Sequence, residues 1–224
     1  MPRDYSLKTK EQQQAHTNQM MAKFINATAE IIQESGIEGV TIREVSKRVG
    51  FTSAVLYTYF YDLDDLLTYT GFKFRQPYLD DLKKTIRPDM NAYELYYCTE
   101  RLHNHHAFRN PEIFLNFHFG KHKYSIEKTF QDYYNNIFPE ELKNQESRIL
   151  NMLQSTNILN CDIYLCEELA KEGFIKKENI HTTAEIMVRL QESFFHTCLV
   201  DKSIDLDDLE ERAMFLFEKV IEMS

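Results

Sequence analysis

Two groups of residues in this chain have the types and spacings that chemistry requires. Five of the eight histidines fall between positions 103 and 122: His103, His105, His106, His118 and His122. His118 and His122 stand four residues apart, a spacing that lets one helical face present two imidazoles to a metal ion. Gly120 lies between them and can break such a helix, and no carboxylate or cysteine is spaced to complete a ligand set. The other reading is a pair of helices with aromatic core residues (Phe108, Phe114, Phe117, Phe119, Tyr124) and histidines that are exposed or hydrogen-bonded. No metal or cofactor is assigned. The second group lies in the run 41–60, where Ser53, Ala54, Tyr57, Thr58 and Tyr59 fall on the outer side of a short helix. Serine and threonine hydroxyls and tyrosine phenols at such a place can hydrogen-bond phosphates.

The elements that must position this second group are readable. Thr41 and Glu44 form a Thr-x-x-Glu capping box, and Ile42, Val45 and Val49 make an apolar stripe at helical spacing. Gly50 stands where that helix ends and the chain turns. Thr52 then caps a second helix over 53–59, with Val55, Leu56 and Phe60 inward. Two short helices about a glycine turn are the unit that places one helix in a DNA major groove. Upstream, a helix from near Lys8 or Lys10 to Ser35 carries Met21, Phe24, Ile25, Thr28, Ala29 and Ile32 on one stripe and stops at Gly36. Arg3, Lys8 and Lys10 form an arm within reach of a phosphate. Downstream, Asp62 caps a helix running to about Lys84, kinked at Pro77.

From Ala22 to Leu67 the chain resembles the DNA-binding domain of the tetracycline-repressor (TetR) family. The resemblance rests on Ile25, Ala29, Ile32, Gly36, Val40, Thr41, Ile42, Val45, Gly50, Phe51, Leu56, Tyr57, Tyr59, Phe60, Leu66 and Leu67. It implies an all-α repressor: a three-helix DNA-binding head with a helix-turn-helix, residues 1–62, and a larger helical effector-binding and dimerisation body, residues 63–224. By position, Thr52, Ser53, Ala54, Tyr57, Thr58 and Tyr59 match the family's recognition-helix contacts, and Thr41 and Arg43 match contacts from the preceding helix. Arg43 suits bidentate readout of guanine, and Thr58 suits a base edge. Two positions depart from the family: serine at 53 and leucine at 63, both commonly lysine. The implied partners are double-stranded operator DNA of near-palindromic sequence, a small-molecule effector and a second copy of the chain. The implied dimer face lies on 145–171 and 180–200, with Leu159, Ile163, Ile186, Leu190, Phe194 and Cys198 as its apolar members. The helix after Asp62 would carry the ligand signal to the head.

Composition agrees with an all-helical protein. Six glycines and five prolines in 224 residues are too few for a many-stranded β protein. The body reads as helices over 91–108, from Pro111 to near Gly120, 123–137, 140–171, 180–200 and 206–222. An apolar effector pocket within it is expected along Phe114, Phe117, His118, Tyr133, Tyr134 and Phe194. The net charge is −9, but residues 1–75 hold nine Lys/Arg and nine Asp/Glu, so the deficit belongs to the body. A neutral head on an acidic body binds DNA through local contacts while the body repels non-specific DNA. The four cysteines lack Cys-x-x-Cys spacing, no run approaches a membrane span, and the N-terminus has no signal-peptide core. A cytoplasmic protein is expected. With no phosphate loop or nucleophile elbow, an enzyme is disfavoured. The competing readings are a metal-dependent enzyme or metal sensor built on the 103–122 histidines, and a helical interaction protein with weakened DNA binding.

Overall fold

The computed structural model describes residues 9–121, 126–154 and 157–224, with Gln154 as backbone alone. The regular structure among them is helical: α1 (Lys10–Ser35), α2 (Ile42–Val49), α3 (Ser53–Leu56), α4 (Leu63–Thr85), α5 (Ala92–Phe108), α6 (Pro111–Phe119), α7 (Ile126–Asp132), α8 (Ser147–Gln154), α9 (Ile158–Lys171), α10 (Ile180–Val200) and α11 (Leu206–Met223). Arg3, Lys8, His122 and Tyr124 lie outside the described residues.

The head folds around Phe24. A Thr9/Gln12 capping box starts α1, with both reciprocal bonds made. Met21, Phe24, Ile25 and Thr28 are buried as one stripe, and Met20, Ala27 and Ile31 are buried as a second, because α1 is covered by both α2 and α4. Thr41 Oγ1 accepts the Glu44 N–H at 3.1 Å, one half of the expected box. Gly50 ends α2 in the left-handed region, φ 82° and ψ 27°, where a Cβ would be strained. The second helix is shorter than predicted. Its α-helical part is a single turn, and the chain then tightens through Thr58 N–H to the Val55 carbonyl and Tyr59 N–H to the Leu56 carbonyl. This tightening turns Phe60 onto Phe24, ring centroids 6.2 Å apart and nearly perpendicular. The Thr52 side chain makes no capping bond.

Head and body share one core through α4. Asp62 caps α4 by accepting the Asp65 N–H at 2.8 Å, and the Phe60 ring meets Tyr69 at 5.4 Å. Pro77 has no N–H for the Lys73 carbonyl, yet α4 continues to Thr85. At Gly71 the helix presses against α6: an added Cβ would stand 2.3 Å from Phe117 Cδ2. In the body, Asn91 and Glu94 box the start of α5, and Pro111 occupies the first turn of α6.

Two expectations for the body are corrected. The helix expected over 140–171 is two helices, α8 and α9, each started by its own cap. Glu146 Oε2 accepts the Arg148 N–H at 2.7 Å to start α8, and Asn157 Oδ1 accepts the Asn160 N–H at 2.9 Å to start α9. Within 123–137, α7 passes at Tyr133 into a π-helical turn ending at Ile137, which buries Tyr133 and Tyr134 together. Among the described residues, no helix is long and apolar enough to cross a membrane.

Candidate functional site

The outer surface of α2 and α3 carries most of the side chains singled out in the sequence. Thr41, Arg43, Thr52, Ala54, Tyr57 and Thr58 are exposed, Tyr57 to 56%, while Ser53 is half-buried. Val45, Leu56 and Phe60 hold the scaffold from beneath. Tyr59 is half-buried with its ring 5.9 Å from Phe24, so it divides between core and surface. Of the three basic residues here, Arg48 is committed elsewhere. Its guanidinium forks onto Glu34 at 2.8 and 2.6 Å, which ties α2 to α1 and lowers the Glu34 pKa through that hydrogen bond. Arg43 and Lys47 remain exposed as the positive charge of this face. Leu63, one of the two departures, is half-buried against the core. Beside it Lys121 reaches back from the end of α6 to Asp62 Oδ2 at 2.6 Å and lies 4.0 Å from Asp64.

The body holds a second constellation, buried and polar. A cavity of about 30 Å³ lies among α4, α5, α6, α9 and α10, with Arg75, Glu100, His103, His118, Asp162 and Gln191 on its wall. That volume holds about one water. Helical register explains how charge came to be inside. Arg75 follows Gly71 by four residues on the buried stripe of α4, Glu100 follows Tyr96 by four on α5, and Asp162 follows Ile158 by four on α9. Burial pushes the Glu100 carboxyl up to about 8, against a hydrogen bond donated by Gln191 Nε2. Asp162 is raised by burial and then by Glu100. His103 falls to about 3 through burial and then the Arg75 charge, and His118 is lowered by burial and then by His103 and Arg75.

The histidines separate into unrelated environments. His103 Nε2 and His118 Nε2 are 3.2 Å apart. His105 instead lies 3.3 Å from Glu210 on α11, and His106 lies 2.9 Å from Asp81 on α4. Among the described residues, no three His, Cys, Asp or Glu side chains are placed to hold a metal ion.

Of the expected pocket lining, only His118 reaches the cavity. Phe114, Phe117, Tyr133, Tyr134 and Phe194 are packing residues: Phe117 sits at 4.7 Å and Tyr133 at 5.2 Å from the Phe72 ring, Tyr134 at 4.9 Å from Phe130, Phe114 at 5.7 Å from His103, and Phe194 at 5.8 Å from Phe108. Of the expected dimer residues, Leu159 and Ile186 are exposed on α9 and α10, with Ile163 and Leu190 half-buried beside them. Phe194 and Cys198 are buried within the protomer instead, because their side of α10 faces the core.

Residues 24–70 match the family model described as bacterial regulatory proteins, tetR family. No curated protein matches the chain. Among solved structures, a TetR-family regulator from Syntrophomonas wolfei, described as putative, aligns with a TM-score of 0.58 at 16% identity, covering 92% of this chain and 97% of the other. The Thermus thermophilus repressor FadR, solved with lauroyl-CoA, aligns at 0.57 and 11% identity, covering 88% and 92%. The fatty acid degradation regulator FadR of Bacillus halodurans aligns at 0.55 and 14% identity, covering 88% and 93%. The head of this chain is thus a tetR-family DNA-binding domain, and the chain as a whole has the fold of TetR-family transcriptional regulators.

Proposed function

We propose that this chain is an effector-responsive repressor that binds a near-palindromic operator as a cytoplasmic homodimer, with residues 1–62 as its DNA-binding domain and 63–224 as its effector and dimer domain. The carrying observation is the exposed face formed by Arg43, Thr52, Ala54, Tyr57 and Thr58 on a head whose core is otherwise closed. These side chains supply one guanidinium for a guanine edge and several hydroxyls for phosphates. The exposed apolar pair Leu159 and Ile186, flanked by Ile163 and Leu190, supports a dimer through α9 and α10. An effector acts in this reading by favouring a pose of α4 in which the two heads no longer match the operator spacing. The Thermus thermophilus neighbour was solved in complex with lauroyl-CoA, which supports an effector-binding role for a chain of this fold.

The test is binding of the purified chain to DNA upstream of its own gene at moderate salt, against shuffled DNA of equal length. Sequence-selective binding is expected, with Arg43→Ala relaxing specificity at one base position by about 1–3 kcal/mol. Tyr57→Ala should weaken binding to all sequences alike. Equal affinity for both DNAs refutes the reading. Full operator affinity in both variants refutes the assigned face.

A further inference from the structure

We infer that the buried chamber is a recognition site for a small organic carboxylate, whose anionic end pairs with Arg75 while its apolar body leaves between His118 and Ile158. The inference rests on the effector-responsive reading above and names the chemistry of the effector.

Arg75 is 5% exposed and lies on the chamber wall, and among the described residues it makes no hydrogen bond or ion pair. A guanidinium carries its charge at all relevant pH, and leaving it buried without an acceptor is strongly unfavourable. Such a group calls for an anion. The two histidines call for an acceptor as well. Both are neutral and share one Nε2···Nε2 hydrogen bond, so one ring has its proton on Nε2 and the other must have its proton on Nδ1. Both Nδ1 atoms are buried and without a partner, so one of them is a buried N–H donor with no acceptor. Thr99 Oγ1 on the same wall is also unpartnered. Glu100 and Asp162 add no competing negative charge while they hold their protons.

The chamber as it stands takes a carboxylate group in place of a water, but no chain. The chain has an exit. A groove of about 350 Å³ on the surface shares His118 and Ile158 with the chamber and continues along Phe119, Ile126, Leu159 and Val188, with Glu127, Asn157, Asn160, Glu185 and Arg189 also on its wall. Recognition at Arg75 also reaches the DNA head directly, since Arg75 and the Asp62 cap belong to one helix.

The test is thermal unfolding of the full chain at fixed ionic strength with hexanoate, with hexanamide as the uncharged isostere, and with chloride and inorganic phosphate. Hexanoate should raise the melting temperature saturably, while hexanamide, chloride and phosphate leave it unchanged. Arg75→Met should abolish the hexanoate shift and melt no lower than the parent without ligand, since it removes an unpaired buried charge. Arg75→Lys keeps the charge and should weaken hexanoate at least tenfold through loss of the bidentate fork. No hexanoate shift, an equal shift with hexanamide, a phosphate shift without a hexanoate shift, or an unaltered hexanoate response in both variants overturns the assignment. DNA binding is measured without ligand, so a failure of the carboxylate site and a failure of the repressor reading are distinguishable.

Discussion

Gly71→Ala is the substitution whose sign the structure decides most sharply. On helix propensity alone it should stabilise α4 by up to ~1 kcal/mol. The packing opposes this. An ideal Cβ at 71 would stand 2.3, 2.8 and 2.9 Å from Phe117 Cδ2, Cγ and Cβ, where ordinary contact begins at 3.4 Å. Phe117 cannot simply turn away: it is 2% exposed, with its ring 4.7 Å from Phe72 and 4.9 Å from His118. Either α4 and α6 separate locally or Phe117 leaves its rotamer, and overpacking of this kind costs about 1–3 kcal/mol. Net of the full propensity gain, Gly71→Ala should destabilise the fold by up to about 2 kcal/mol, a fall of up to roughly 8 °C in Tm for a chain of this size. Urea denaturation gives the free energy directly. Phe117→Ala removes the two nearest atoms, Cδ2 and Cγ, so the double variant should be more stable than the sum of the two singles predicts, by at least ~0.5 kcal/mol. A Gly71→Ala protein stabilised by the full ~1 kcal/mol of helix propensity, or strict additivity in the double variant, refutes the close approach of α4 and α6.

The remaining predictions concern the chamber, a cap and the link to the head. Glu100, raised to about 8 from an ordinary 4.5, holds a proton in the folded chain that the unfolded chain releases, so its contribution is complete below 4.5 and is lost as pH rises to about 8. Asp162 shifts the same way, whereas His103, lowered to about 3 from 6.5, contributes stability that is present above 6.5 and lost on acidification, as does His118. Urea midpoints should therefore fall between pH 6.5 and 8, and Glu100→Gln should flatten this limb; midpoints rising over that range contradict the buried protonated pair. Asn157→Ala should cost about 1 kcal/mol in the same assay through loss of the α9 cap, and no loss would show that α8 and α9 are not separately capped. Lys121→Gln should leave hexanoate affinity unchanged while reducing its effect on DNA binding; an unchanged effect would remove the Lys121–Asp62 pair from the coupling.

What the sequence revealed and what it hid follow from the range of the interactions involved. The head was legible because its signals are local: a cap at Thr41, a glycine at 50, apolar residues at helical spacing, a cap at Asp62. Helix ends in the body were legible where proline or glycine marks them, and the α8–α9 break was missed because an Asn cap inside an unbroken apolar pattern is a weak mark. The buried chamber went unread for a different reason. Aromatic residues drew attention, and aromatics fill space, as Phe114, Phe117 and Tyr133 do. The residues that line the chamber carried their own signal, a charged residue in phase with an apolar stripe: Arg75 between Gly71 and Leu79, Glu100 between Tyr96 and His103, Asp162 between Ile158 and Leu165. Reading each helix for its misplaced charge would have named them.

The placement of those charges bears on how a body of this kind can govern a head. A ligand shifts a conformational equilibrium only by its differential affinity for the two states. An unpaired buried cation supplies such a difference, because its penalty is relieved only in the state that brings ligand and guanidinium together. Arg75 sits on α4, whose first turn is capped by Asp62 at the exit of the DNA-binding unit. The chamber wall also includes α6, which carries His118 onto the chamber and, just past its end, Lys121 toward Asp62. The chamber therefore touches the base of the head along two routes that meet at one residue. Close packing at Gly71 and Phe117 lets α4 and α6 shift only as neighbours that slide or part, not as elements that deform. A carboxylate bound at Arg75 as proposed would act on that contact, with the free energy coming from satisfying the buried charge.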